Sequence, residues 1–136
     1  MKIINQIGYW ALIVFFSYTF MNKLLLLDSF LLNIAKTGLF SQNQVYAVAI
    51  IGLILECLAI VIMVFKKRAG LIFTFVMMLL FSIYIFILQA LGRYEVCGCG
   101  GFMNGLDFNV HFLINISIIC LIFFLIQTDK CYEKYY

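Results

Sequence analysis

Proline is absent from this 136-residue chain, histidine occurs once, and charged residues make up only 11% of it. Each shortage excludes something. Without proline, nothing in the sequence forces a helix to break. One histidine is too few for a histidine-built metal centre. So few charges cannot clothe a water-soluble domain, in which about a quarter of residues are charged. The net charge of +3 sits in short connecting segments, so it bears on membrane topology and excludes a basic nucleic-acid surface. What is plentiful is the reverse: 66% of residues are hydrophobic and 18% aromatic. That content excludes disorder and makes the bilayer the natural solvent.

Four apolar stretches run from about Ile7 to Leu27, Val45 to Phe65, Ala69 to Leu91, and Phe108 to Ile126. Each is near the ~20 residues a helix needs to cross a bilayer. The alternation of a membrane β-barrel is missing. Helices satisfy every backbone group within the segment, so the fold class is an all-α integral membrane protein with a four-transmembrane-helix bundle. Residues 1–136 form one domain. Asn22-Lys23-Leu24 is a poor cleavage site, so the first span is expected to be a retained helix.

Six cations, Lys2, Lys66, Lys67, Arg68, Lys130 and Lys134, fall on one side, against Lys23, Lys36 and Arg93 on the other. The positive-inside rule then puts both termini in the cytoplasm of a bacterial inner membrane. Two longer loops face the periplasm, Asp28–Gln44 and Gly92–Asp107. Within the first, Phe30, Leu31, Leu32, Ile34, Leu39 and Phe40 recur at helical spacing, which predicts an amphipathic helix in the interface. Ser41-Gln42-Asn43-Gln44 then caps the second span.

The second loop carries Cys97-Gly98-Cys99-Gly100-Gly101. A polar, glycine-rich loop gives a thiol no packing reason to be there. A disulfide across one residue is strained and reducible, which suits exchange better than bracing. The closed ring is also too short for much entropic stabilisation. Zinc on Cys97, Cys99 and His111 would need a further ligand, and no metal is expected. Cys57 and Cys120 read as small apolar fillers in helix interfaces, too deep for direct relay to Cys97. Cys131 reads as a reduced thiol in the tail.

Glu56 lies near the middle of the second span, where a carboxylate is expensive and needs a partner. Lys23, Asn115, Ser117 and Tyr84 are the candidates. Two readings stand for Glu56, a functional group or interhelical glue. Lys23 is either its partner or a snorkelling anchor. His111 and Asn115, at i and i+4, share one face of the fourth span. His111 there is either a base or proton shuttle for a cysteine, or a histidine satisfied at the headgroup boundary. Tyr9, Trp10 and the tail tyrosines read as interfacial belt aromatics.

Taken in order, these elements resemble the MauE branch of the DoxX-like membrane proteins, in the form common in Bacteroidetes. The resemblance rests on Met21-Asn22-Lys23-Leu24 followed by Phe30, on Leu55-Glu56, on Cys97-Gly98-Cys99-Gly100-Gly101-Phe102, and on His111 with Asn115. It implies a four-helix bundle with the cysteine motif on the periplasmic face and Cys97 and Cys99 as an exchanging pair. It also implies work beside a thioredoxin-like partner, as in disulfide formation in a periplasmic subunit of methylamine dehydrogenase. One departure is plain: the usual motif is Cys-Gly-Cys-Phe-Gly, whereas here Gly100-Gly101 precede Phe102.

The expected function is thiol–disulfide exchange by Cys97 and Cys99 with His111, supported by Glu56, Lys23 and Asn115. Electrons would pass between a thioredoxin-like or client protein and a second acceptor, a membrane quinone being the candidate cofactor. The alternative is a non-catalytic small subunit that docks onto a larger envelope complex through its loops. A small-molecule transporter is the weakest reading, since Glu56 stands alone and no broken helix is signalled.

Overall fold

A computed structural model describes residues 2–92 and 107–133. Five helices appear in order: α1 (Lys2–Leu25), α2 (Leu27–Lys36), α3 (Gln42–Phe65), α4 (Lys67–Ala90) and α5 (Phe108–Glu133). Four of them are long and apolar enough to cross a membrane: Ile3–Leu25, Gln42–Phe65, Lys67–Ala90 and Phe108–Asp129. No strand occurs among the described residues. The chain is a multi-pass, all-α membrane protein.

The spanning helices close into a ring, α1 against α3 and α5, and α4 against α3 and α5. Each contributes one stripe at a spacing of three, four or seven residues. On α1 it is Asn5, Tyr9, Leu12, Phe16, Thr19 and Lys23; on α5 it is His111, Asn115, Ile122 and Leu125. The opposite faces stay apolar and outward, as with Ile7, Val14, Ile54 and Phe124. That inversion is what a lipid solvent permits. The central packing joins Leu12, Phe16, Ala59, Met63, Leu71 and Ile122.

Helix ends follow local chemistry and run beyond the apolar stretches. The Gln44 side chain accepts a hydrogen bond from the Ser41 backbone N–H at 2.9 Å, so α3 begins at Gln42, a turn before its apolar run. Gly38 takes φ +64° and donates to the Ala35 carbonyl. It ends α2 in the left-handed conformation that suits glycine. Between α3 and α4 a single residue, Lys66, leaves helical geometry (φ −138°, ψ 83°). So sharp a reversal brings the helices together at Gly70, where an added Cβ would sit 2.4 Å from the Met63 Cα.

Helix α2 covers the first half of α3. Ile34 packs with Val45 and Ala49, and Phe30, Leu31, Phe40 and Val48 surround them. The bundle therefore has two unlike ends. One carries α2 and the connection from α4 to α5 that holds the cysteine motif. The other carries the Lys66 turn, the start of α1 and the end of α5.

Candidate functional site: a buried charge pair and its polar cavity

Lys23 lies in the last turn of α1, on the buried stripe. It is only 3% exposed, and Glu56 on α3 is 5% exposed. The two form a direct salt bridge in which Lys23 Nζ donates to Glu56 Oε1. Lys23 is thus an inward partner and not a snorkelling anchor. Its ammonium also lies 5.1 Å from the centre of the Phe81 ring and 5.6 Å from that of Phe30, close enough for cation–π attraction. A charge this deep is held by its carboxylate and by two aromatic faces.

His111 and Asn115, 1% and 4% exposed, face the same place from α5. With Lys23, Glu56, Thr19 and Phe81 they line one cavity of about 30 Å³, whose remaining walls are Phe15, Phe16, Met77 and Met78. Thr19 is spent locally, donating to the Phe16 carbonyl at 3.0 Å. Glu56 Oε2 and the Asn115 side-chain Nδ2 are buried without a hydrogen-bond partner among the described residues. One atom accepts and the other donates. The volume suits a water molecule, which can serve both.

Four residues singled out in the sequence, Lys23, Glu56, His111 and Asn115, therefore meet. Two other candidate partners of Glu56 do not. Ser117 is exposed and donates to the Leu113 carbonyl at 2.8 Å. Tyr84 lies on the far side of Phe81, in a separate groove. Cys97, Cys99 and the glycines around them lie outside the described residues. Cys57 and Cys120 are exposed on the outer surface of the bundle, and so are not interface fillers. Position explains Cys57: its neighbour Glu56 occupies the buried stripe, and one residue turns a helix by about 100°. Tyr9 also departs from expectation. It is buried, and its hydroxyl donates to the Met63 carbonyl; Trp10 alone of the two is exposed.

Thr19 and Phe81 belong to the site and carry no motif. Thr19 is detectable as the residue four before Lys23 on one helical face. Phe81 is one of fifteen phenylalanines, and only the assembled bundle distinguishes it. Among the described residues no three His, Cys, Asp or Glu side chains gather as a metal site.

A four-span membrane bundle with an ion pair and two polar side chains buried around one cavity defines a class of small polytopic membrane protein. The chain belongs to the MauE family: the family model described as methylamine utilisation protein MauE matches residues 1–128. No curated protein and no solved structure matches it.

Proposed function

We propose that the chain is a membrane thiol–disulfide exchange protein whose working pair is Cys97 and Cys99. The observation that carries this reading is the convergence of Lys23, Glu56, His111 and Asn115 on one cavity at the end from which the cysteine loop departs. His111 stands one turn into α5, directly after that loop. A buried charge pair in a membrane is costly and marks a functional region.

The step balances within the proteins. One thiolate of an extracytoplasmic thioredoxin-like or client dithiol attacks the Cys97–Cys99 disulfide, forming a mixed disulfide and releasing one cysteine thiolate of the pair. The partner's second thiol then resolves it. The partner ends as a disulfide and Cys97 and Cys99 as a dithiol, two electrons having passed to the pair and on to a second acceptor. His111 takes the proton of the attacking thiol and returns one to the leaving thiolate. Lys23 and Glu56 hold α1 and α3 in register beneath it.

The test is trapping. Cys97→Ser and Cys99→Ser, expressed in turn, should each leave one thiol unable to resolve. One of them should accumulate a mixed disulfide visible on non-reducing gels. No capture by either variant, together with full activity of the double variant in cells, overturns the reading. Stoichiometric co-purification with a large envelope complex and a disulfide inert to mild reductant would assign a docking subunit instead.

A further inference from the structure

A second cavity lies next to the charge pair and is far larger, about 320 Å³. It is a groove between α2, α3 and α4, in the half of the bundle that carries the cysteine loop. Four aromatic rings line it, Phe30, Phe40, Phe81 and Tyr84. Its volume falls in the range of small-molecule sites, and so does its make-up of apolar walls with few polar groups. Phe81 and Met77 line both this groove and the polar cavity, so only those side chains divide the two. Gly52 lines it from α3, and nothing lies within 4 Å of where its Cβ would be. The absent side chain keeps the groove open and braces nothing.

Two features give the groove a chemical preference. The Lys23 ammonium stands 5.1 Å and 5.6 Å from the ring centres of Phe81 and Phe30, two of the groove's own aromatic walls. The Lys23–Glu56 pair is neutral overall, so what stands behind those walls is a dipole whose ammonium end faces the rings, in a low-dielectric setting. One hydroxyl-bearing residue lines the groove, Tyr84, which shares a hydrogen bond with the Thr37 side chain. Aromatic walls, two of them (Phe81 and Tyr84) edge-on to each other, a hydroxyl and the ammonium end of a buried ion pair complement a flat ring with electron-rich carbonyl oxygens. A saturated acyl chain offers nothing to the hydroxyl or to the ammonium end.

We infer that this groove binds the ring of a lipid-soluble quinone. The inference rests on the thiol-exchange reading for its purpose and supplies that reading's second acceptor. Tyr84 lies eight residues before Gly92, where the cysteine loop leaves α4, roughly 12 Å along the helix axis. The reaction balances as dithiol plus quinone to disulfide plus quinol. Two S–H bonds break, one S–S bond forms, and both electrons and both protons end on the two quinone oxygens.

The experiment uses the full chain in lipid nanodiscs and an azidoquinone photolabel mapped by mass spectrometry. Labelling is expected on peptides containing 48–55 and 77–84. An excess of decylubiquinone should compete it away, and decanoic acid should not. Gly52→Phe fills the groove and should cut labelling at least about tenfold. Tyr84→Phe, which keeps the ring and removes the hydroxyl, should weaken decylubiquinone competition by about tenfold at most, the worth of one hydrogen bond. Equal competition by decanoic acid means an acyl-chain groove and overturns the inference. So does labelling unchanged in both variants.

Thiol labelling of Cys97 and Cys99 in the same nanodiscs separates the two claims. Mixed-disulfide capture without specific photolabelling removes the quinone site and leaves thiol exchange standing. Specific photolabelling with thiols that never oxidise removes the acceptor role and the exchange reading, and leaves a quinone-binding groove.

Discussion

Among the described residues two lysine–carboxylate pairs tie the bundle together, one at each end, and they differ in almost everything but composition. Lys23–Glu56 is buried, its side chains 2% and 6% exposed; Lys67–Asp129, at 2.6 Å, is 40% and 20% exposed. Each lysine also faces aromatic rings, Phe30 and Phe81 for Lys23 and Tyr9 for Lys67. Around Lys67–Asp129 the polar groups are matched: Asn5 and Thr128 exchange hydrogen bonds at 2.6 and 3.0 Å, and Tyr9 reaches the Met63 carbonyl. Around Lys23–Glu56 polar atoms are left over, Glu56 Oε2 and Asn115 Nδ2 on the wall of the cavity and Asn22 Nδ2 beside Lys23. A latch needs matched groups and no space. The Lys67–Asp129 end has the makings of a latch, and the Lys23–Glu56 end has capacity in reserve.

The comparison breaks most readily at Lys23. Lys23→Met alone should lower stability by about 3–5 kcal/mol, because it strands the Glu56 charge in a low-dielectric site. Unfolding in mixed detergent micelles, followed by circular dichroism, measures it. The double variant Lys23→Met with Glu56→Leu should recover most of that loss, since well-packed apolar replacements often equal a buried pair. If the double variant is stable and still exchanges thiols at the native rate, the pair is glue and the contrast between the two ends disappears.

Next in size is His111→Gln. Under the proposed function it should slow reduction of a small aromatic disulfide by about 100-fold, as loss of a general base does. A rate within about twofold of native would confine His111 to packing. Gly70→Ala comes third: its Cβ meets Met63 backbone at 2.4 Å, and such overpacking costs about 1–3 kcal/mol. The smallest effect belongs to the exposed pair. Asp129→Asn should change stability by about 1 kcal/mol or less. A loss as large as that of Lys23→Met would mean that both pairs are buried in the membrane-bound protein.

Much of this was legible in the sequence, and the reasons are specific. Spans need only length and apolarity, so four were readable, and α2 showed itself by the spacing of Phe30, Leu31 and Ile34. Glu56 was conspicuous because a carboxylate within an apolar run has no cheap explanation. His111 and Asn115 were linked by a spacing of four. Pairing Glu56 with Lys23 and not with Tyr84 or Ser117 was not legible, because it depends on how far α3 extends past α1. The packing of α2 on the first half of α3 belongs to the same tertiary arrangement, which no local pattern encodes. The outward aim of Cys57 and Cys120 was lost for a related reason. In lipid, both faces of a span are apolar, so hydrophobicity no longer says which way a residue points. The groove behind Phe81 had no signature, since it is made by three helices and by the missing side chain of Gly52.

The outward placement of Cys57 has a practical consequence. Its thiol lies on the bundle's outer surface, one residue from Glu56. A nitroxide attached there reports its own immersion through collisions with oxygen, which favours lipid, and with a nickel chelate, which favours water. The chain thus carries a built-in depth gauge. It measures how far below the membrane surface the charge pair lies without altering any residue of the pair itself.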